Sequence, residues 1–311
     1  MHKSPIKTVN VIEPVIRPTV AKGKRIRNFI LKNKKGTRAV ITNYGNRILN
    51  LFVSDATGNP IDVIESFDGS EGAVGFETKE YQHVVWNAKQ SNENTLELTC
   101  FSGDTKYGLK LKVVYKLTSD NGLKVVYEAT AVKPVQVSFS KIFFNLNGAG
   151  SGSILNHHVQ INADKYIPTN TNVISPLIIE PVSGTPFDFN KATTIGARIN
   201  DNSVQLRDGK GYNHSFVLKK HSSRSPVAKV KGDKSGIVLE VCTEEPRLQF
   251  YSGNFINNDR ALKNYSHRTT FALTPVHLPG GQHQTQYPLI SIEPGHSYKS
   301  VCIYRFRTSN L

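Results

Sequence analysis

Residues 156–189, NHHVQINADKYIPTNTNVISPLIIEPVSGTPFDF, confine the chain to short strands and turns. Apolar and polar side chains alternate through Val159, Gln160, Ile161 and Asn162, and the pattern breaks at Asp164. Pro168, Pro176, Pro181 and Pro186 then recur too often for any helix to survive. The same grammar runs along the rest of the chain. Period-two or β-branched runs occur at 27–33, 37–42, 47–55, 83–88, 95–101, 110–117, 123–131, 135–146, 236–241, 247–251, 269–273 and 300–306. Turn residues separate them, with Lys34-Lys35-Gly36 joining the first pair and Ser119-Asp120-Asn121-Gly122 giving a strong hairpin signal. No segment of useful length has helical periodicity, and nothing between residues 81 and 311 reads as a linker. The pattern predicts an all-β fold, a large antiparallel β-sandwich formed as a single domain by residues 23–311 after an extended basic lead-in at 1–22.

Charge is unevenly spread. The chain carries a net +15, of which residues 1–40 supply +10 through eleven basic side chains against Glu13 alone. A basic segment at residues 3–38 is a possible contact for polyanions such as nucleic acid or sulfated glycan. However, residues 24–32 alternate like a strand that keeps its charged side in water, and no stacking aromatic motif or recognition helix accompanies them. The opening residues have charges and prolines where a signal peptide needs an apolar run, and no stretch approaches the roughly 20 apolar residues of a membrane span. Cys100, Cys242 and Cys302 are an odd set far apart in sequence, as expected of buried free thiols in a reducing compartment; a cytoplasmic protein is the expectation. The glycines at 69–75 lack the Lys-Ser/Thr pair of a phosphate loop and read as a turn. His157 and His158 are adjacent and so face opposite ways on a strand, and His277 and His283 have no third ligand nearby, so neither metal nor cofactor is expected.

Several runs, taken as strings, resemble the galactose mutarotase (aldose 1-epimerase) family. They are INADKYIPTN at 161–170 with PVSGTPFDFNKATTIGARI at 181–199, and RAVITNYGNRILNLFVSDATGNPIDVIESFD at 38–68. TEEPRLQFYSGNF at 243–255 and IEPGHSYKSVCIYRF at 292–306 add to them. The resemblance implies a galactose mutarotase-like supersandwich. It also implies a sugar site in which a carboxylate base and a histidine acid act on the anomeric centre.

The family's functional positions do not carry over. Its acid histidine stands before a Tyr-Phe-Asn-Leu strand end; here the run is Ser138-Phe139-Ser140-Lys141-Ile142-Phe143-Phe144-Asn145-Leu146, with Lys141 or Ser140 nearest that place. Its base glutamate lies in Leu-Glu-Pro-Gln-His-Phe-Pro; here the match is Leu273-Thr274-Pro275-Val276-His277-Leu278-Pro279, with Thr274 in the carboxylate's position. Its sugar-gripping aspartate corresponds to Asn213 in Gly211-Tyr212-Asn213-His214-Ser215-Phe216-Val217-Leu218. Its remaining arginine and histidine belong to a segment that the passage from Asp68 to Gly75 leaves out.

Three functions stay open. A scaffold kept without its acid/base pair suggests a non-catalytic carbohydrate-binding or regulatory pseudoenzyme, with ordinary mutarotase activity absent or very weak. Its ligand-binding candidates are Lys141, Phe143, Asn213, His214, Thr274 and His277 in the sandwich cleft. An enzyme of altered chemistry on a sugar or other carbonyl compound is the alternative, if Lys141, His214 and His277 converge there. A polyanion-binding protein acting through the N-terminal segment is the third.

Overall fold

The computed structural model describes residues 20–21, 23–65, 81, 83–101, 108–137, 141–169, 178–255, 266–277 and 290–309. Nearly half of them lie in strands, paired antiparallel. The largest sheet has nine, in the order Thr193–Thr194, His158–Ile161, Ala228–Lys231, Ile237–Thr243, Ser297–Thr308, Gly122–Thr130, Lys110–Leu117, Thr95–Phe101 and Asn87–Asn92. A five-stranded sheet runs Glu180–Pro181, Ala163–Ile167, Asn213–Leu218, Arg247–Tyr251 and Ala272–Val276. A four-stranded sheet holds Asn28–Lys32, Arg38–Thr42, Arg47–Ser54 and Pro60–Asp62. Helix among the described residues amounts to the short Val204–Asp208, a single 3-10 turn at Ile195–Ala197, and Tyr81.

Period-two sequence explains these strands. In Lys110–Leu117, Leu111, Val113, Tyr115 and Leu117 are all buried while Lys110 and Lys116 are exposed. Gly122–Thr130 repeats the pattern one register step away, and the turn between them is set by Asn121 at φ +62°, a left-handed conformation that asparagine tolerates. On the outer side, Glu97, Lys112, Glu128 and Lys299 alternate in sign across four neighbouring strands, with contacts of 3.2–3.4 Å.

The nine- and five-stranded sheets pack face to face. The Tyr304 hydroxyl donates to the Leu273 carbonyl at 3.1 Å, and Phe144 meets Phe271, Tyr304 and Phe306 with ring centroids 5.4–6.3 Å apart. Buried apolar residues from Leu31 to Phe306 form one connected cluster.

Three expected strands lie elsewhere than predicted. Residues 83–88 do not form one: Val84 and Trp86 bond the backbone of Gly45 and Asn43, and the strand is the fully exposed Asn87–Asn92 at the sheet edge. A polar edge strand is what a sheet needs there to avoid pairing with other chains. The run 135–146 is Val135–Val137 followed by single bridges at Phe144, and 269–273 is displaced to Ala272–Val276. The break expected at Asp164 appears as a register shift between Ala163 and Lys165. The glycine-containing link at 69–75 lies outside the described residues, as do residues 3–19 of the basic segment. From residue 23 on, Lys24, Arg25, Arg27, Lys32, Lys34 and Lys35 are all exposed.

Candidate functional site

Single bridges extend the five-stranded sheet. Ile64 pairs Phe144, and Phe144 pairs Phe271, the residue before Ala272–Val276. The Glu65 amide donates to the Phe143 carbonyl at 2.9 Å, and Phe144 and Phe271 exchange backbone bonds of 2.8 and 2.9 Å. Register then places residues in rows on the side of the sheet away from the core. One row is Glu65, Phe143, Ala272, Tyr251 and Asn213. The next holds Thr274, Gln249, Ser215 and Ile167, with Lys141 brought toward it by counting two residues from Phe143. A third holds Val276, Arg247, Val217 and Lys165. Contacts agree with the count: Phe143 stands edge-on to Tyr251 at 6.1 Å, and the Lys141 ammonium lies 4.9 Å from the same ring.

This face is polar, yet much of it is shielded from water. Arg247, Gln249, Tyr251 and Thr274 are all buried, and Thr274 is only 6% exposed. The Ser215 hydroxyl donates to Gln249 Oε1 at 2.6 Å, and Gln249 Nε2 donates to Asn213 Oδ1 at 3.0 Å. With its oxygen engaged, Asn213 is left to present its amide N–H groups. The Thr274 hydroxyl and Arg247 Nε are buried without a hydrogen-bond partner, while Arg247 Nη2 donates to the His277 carbonyl. Desolvation pulls the Arg247 pKa below its usual value against the field of Glu245.

Glu65 closes the first row. It is 1% exposed, accepts the Gly150 amide on Oε1 at 2.8 Å and leaves Oε2 unpartnered. Burial, helped by the negative charge of Asp62 and opposed by the Gly150 bond, raises its pKa to about 7.

Lys141, Phe143, Asn213 and Thr274 thus come together on one face, and the two histidines do not join them. His214 neighbours Asn213 on the same strand and so points the other way, into the core, where it lies 4.5 Å from Phe187 and 6.0 Å from Tyr166 between ring centroids. Its Nδ1 accepts the Asn213 amide at 3.0 Å, so Nε2 carries the proton, directed at Gln205 Oε1 3.3 Å away; burial lowers its pKa to about 3. His277 stands at the rim with a 52% exposed side chain, its Nδ1 3.0 Å from Glu245, whose other oxygen accepts the Tyr298 hydroxyl at 2.8 Å. The expected convergence of Lys141, His214 and His277 is therefore corrected: strand alternation separates them. His157 is buried and His158 exposed, on opposite faces as expected. Among the described residues, no three His, Cys, Asp or Glu side chains group to hold a metal ion.

Comparison with known proteins places this geometry. The profile of the aldose 1-epimerase family matches residues 75–305. The chain belongs to the aldose 1-epimerase family. It is 33% identical to the aldose 1-epimerase of Escherichia coli over 280 residues, covering 86% of this chain and 79% of that one. It is 34% identical to the galactose mutarotase of Mus musculus over 209 residues, covering 66% of this chain and only 60% of the mouse protein. Among solved structures, a galactose 1-epimerase from Lactobacillus acidophilus superposes with a TM-score of 0.77 at 22% identity, covering 95% of this chain and 98% of that one, a likeness of fold. Within this aldose 1-epimerase scaffold, sequence reading missed Glu65, Ser215, Arg247, Gln249 and Tyr251. Alternation along TEEPRLQFYSGNF already places the last three on Thr274's side once strand pairing is known.

Proposed function

We propose that the protein is a non-catalytic carbohydrate-binding or regulatory member of its family, acting through the polar face of the five-stranded sheet. The observation that carries this reading is Thr274. It faces Gln249 across the strand pair, at the position where the family motif has its base, and its hydroxyl has no partner able to take its proton. A threonine hydroxyl without such a partner is no base near neutral pH. Losing an acid or a base typically costs a hundredfold or more in rate, and losing both leaves positioning alone. Asn213, Ser215 and Gln249 still form a hydrogen-bonded array suited to sugar hydroxyls. Polarimetry of freshly dissolved α-glucose and α-galactose tests it: the expected rate is that of buffer, and anomerisation well above buffer overturns it.

A second reading, an enzyme of altered chemistry, is favoured by Glu65. A carboxyl whose pKa lies near 7, on the row of Phe143 and Asn213 and beside the segment bearing Lys141, is the kind of group that exchanges protons at neutral pH. If this reading holds, turnover of an aldose is abolished by both Glu65→Gln and Lys141→Met. Turnover unchanged in both variants excludes it.

A further inference from the structure

We infer that the polar face selects sugars bearing an oxyanion, a carboxylate or a phosphate, over neutral hexoses. This rests on the carbohydrate-binding reading above and adds the ligand's charge. Among the described residues, three cations belong to the face: Lys141 beside Tyr251, Arg247 in the row beyond Thr274, and Lys165 two strands from Arg247 in that same row. Between them stand donors. Asn213 has its oxygen engaged by Gln249, which leaves its amide N–H groups as its donors, and the Thr274 hydroxyl and Arg247 Nε are buried with no partner. Unpaired buried donors are costly, and a ligand acceptor is the simplest way to satisfy them.

Among the described residues, the acids near this face are engaged except at Glu65 Oε2. Glu65 turns one oxygen to the Gly150 amide, and Glu245 is held by Tyr298 and His277. Alternate residues on a strand are about 7 Å apart and neighbouring strands about 4.8 Å, so by register Thr274 and Arg247 stand about 8–9 Å apart and Asn213 about 12–15 Å from each, the span of two to three sugar rings. A neutral hexose offers them only hydroxyl oxygens. An oxyanion offers charge-assisted acceptors, which are roughly twice as strong.

Isothermal titration calorimetry of the full chain with galactose, galacturonate, galactose 6-phosphate and inorganic phosphate, at low and moderate salt, tests this. The expected result is tenfold or more tighter binding of at least one anionic sugar than of galactose, about what one charge-assisted hydrogen bond gives. That preference weakens with salt, shrinks severalfold in Lys141→Met, and reverses in Thr274→Glu, which returns a carboxylate to the row. Thr274→Val, close in shape to the native residue, checks that any loss is not one of folding. Galactose binding as tightly as both anionic sugars overturns the charge selectivity and leaves the carbohydrate reading standing. Inorganic phosphate matching galactose 6-phosphate, with galactose silent, overturns the carbohydrate reading instead. No binding by any of the four overturns both.

Discussion

The two sides of the five-stranded sheet are made from the same strands and differ in every physical respect. On the core side, His214, Phe216, Leu248, Phe250 and Leu273 are all buried, and the aromatic rings among them meet further rings. On the other side Asn213, Ser215, Arg247, Gln249, Tyr251 and Thr274 line up in the same register, polar, much of it hidden from water, and with two hydrogen-bonding atoms unsatisfied. A single strand such as Asn213–Leu218 contributes to both. The core side specifies the fold and tolerates little change, because its cost is packing. The polar side is expected to contribute less to stability, so its chemistry can change while the fold persists. On the reading proposed above, this is how a chain keeps the aldose 1-epimerase scaffold with Thr274 and Asn213 on its polar side.

Substitutions can break that contrast, and the largest effect belongs to the core. Phe250 is fully buried, stacked on Tyr212 at 5.4 Å and edge-on to Phe189 at 5.7 Å. Phe250→Ala is expected to cost about 3–5 kcal/mol in urea unfolding. Gln249→Ala, its neighbour facing the other way, is expected to cost about 2 kcal/mol, the net worth of its two hydrogen bonds to Ser215 and Asn213. Equal losses in the two variants would show that the polar face is structural.

Next come two titrations of opposite sign. The Glu65 pKa rises from 4.5 in the unfolded chain to about 7 in the native protein. The native state then holds more protons between those values, and stability falls as pH rises through that window. Glu65→Gln is expected to remove this slope, raising stability at pH 8 by on the order of 2 kcal/mol relative to pH 5. His214 does the reverse. Its pKa falls from 6.5 to about 3, so its contribution is complete above pH 6.5 and is lost as pH drops toward 3. At pH 5 that loss is about 2 kcal/mol, and His214→Gln is expected to lessen the drop between pH 7.5 and 5 by that amount. In the native chain the two slopes partly cancel, so unfolding curves of each single variant at pH 5, 6.5 and 8 are needed to see either. A Glu65→Gln profile parallel to the native one would mean that this carboxyl is ionised in the folded state.

Much of this architecture could be read from alternation alone. Thr95–Phe101, Lys110–Leu117 and Arg247–Tyr251 were legible to the residue; in the first two a single face is buried and a register slip would expose it, while Arg247–Tyr251 alternates between apolar and polar side chains that are all buried. The opposed directions of His157 and His158 were legible for the same reason. The site was legible only in part. Lys141, Phe143, Asn213 and Thr274 were found through family motifs, but His214 was grouped with its neighbour Asn213 although the two must face apart. Glu65 was hidden because its place depends on single bridges from Ile64 to Phe144 and from Phe144 to Phe271, contacts between residues some 80 and 130 positions apart that no local pattern announces. Arg247 looked like an ordinary strand residue until its pairing with Val276 put it beside the Thr274 row.

The smallest expected effect is the most telling about the polar face. Thr274 is buried in an edge strand of the five-stranded sheet, its methyl and hydroxyl filling the space of a valine, and the hydroxyl makes no hydrogen bond. A core threonine in that condition is a defect, since the hydroxyl has lost water and gained nothing. Thr274→Val restores an apolar atom of the same size and is expected to leave stability unchanged or raise it by about 1 kcal/mol. If the hydroxyl is there for a ligand, the same change weakens sugar binding, so stability and affinity move in opposite directions. A clear loss of stability in Thr274→Val would instead mean that the hydroxyl is satisfied within the native protein, and the comparison between the two faces would lose its sharpest point.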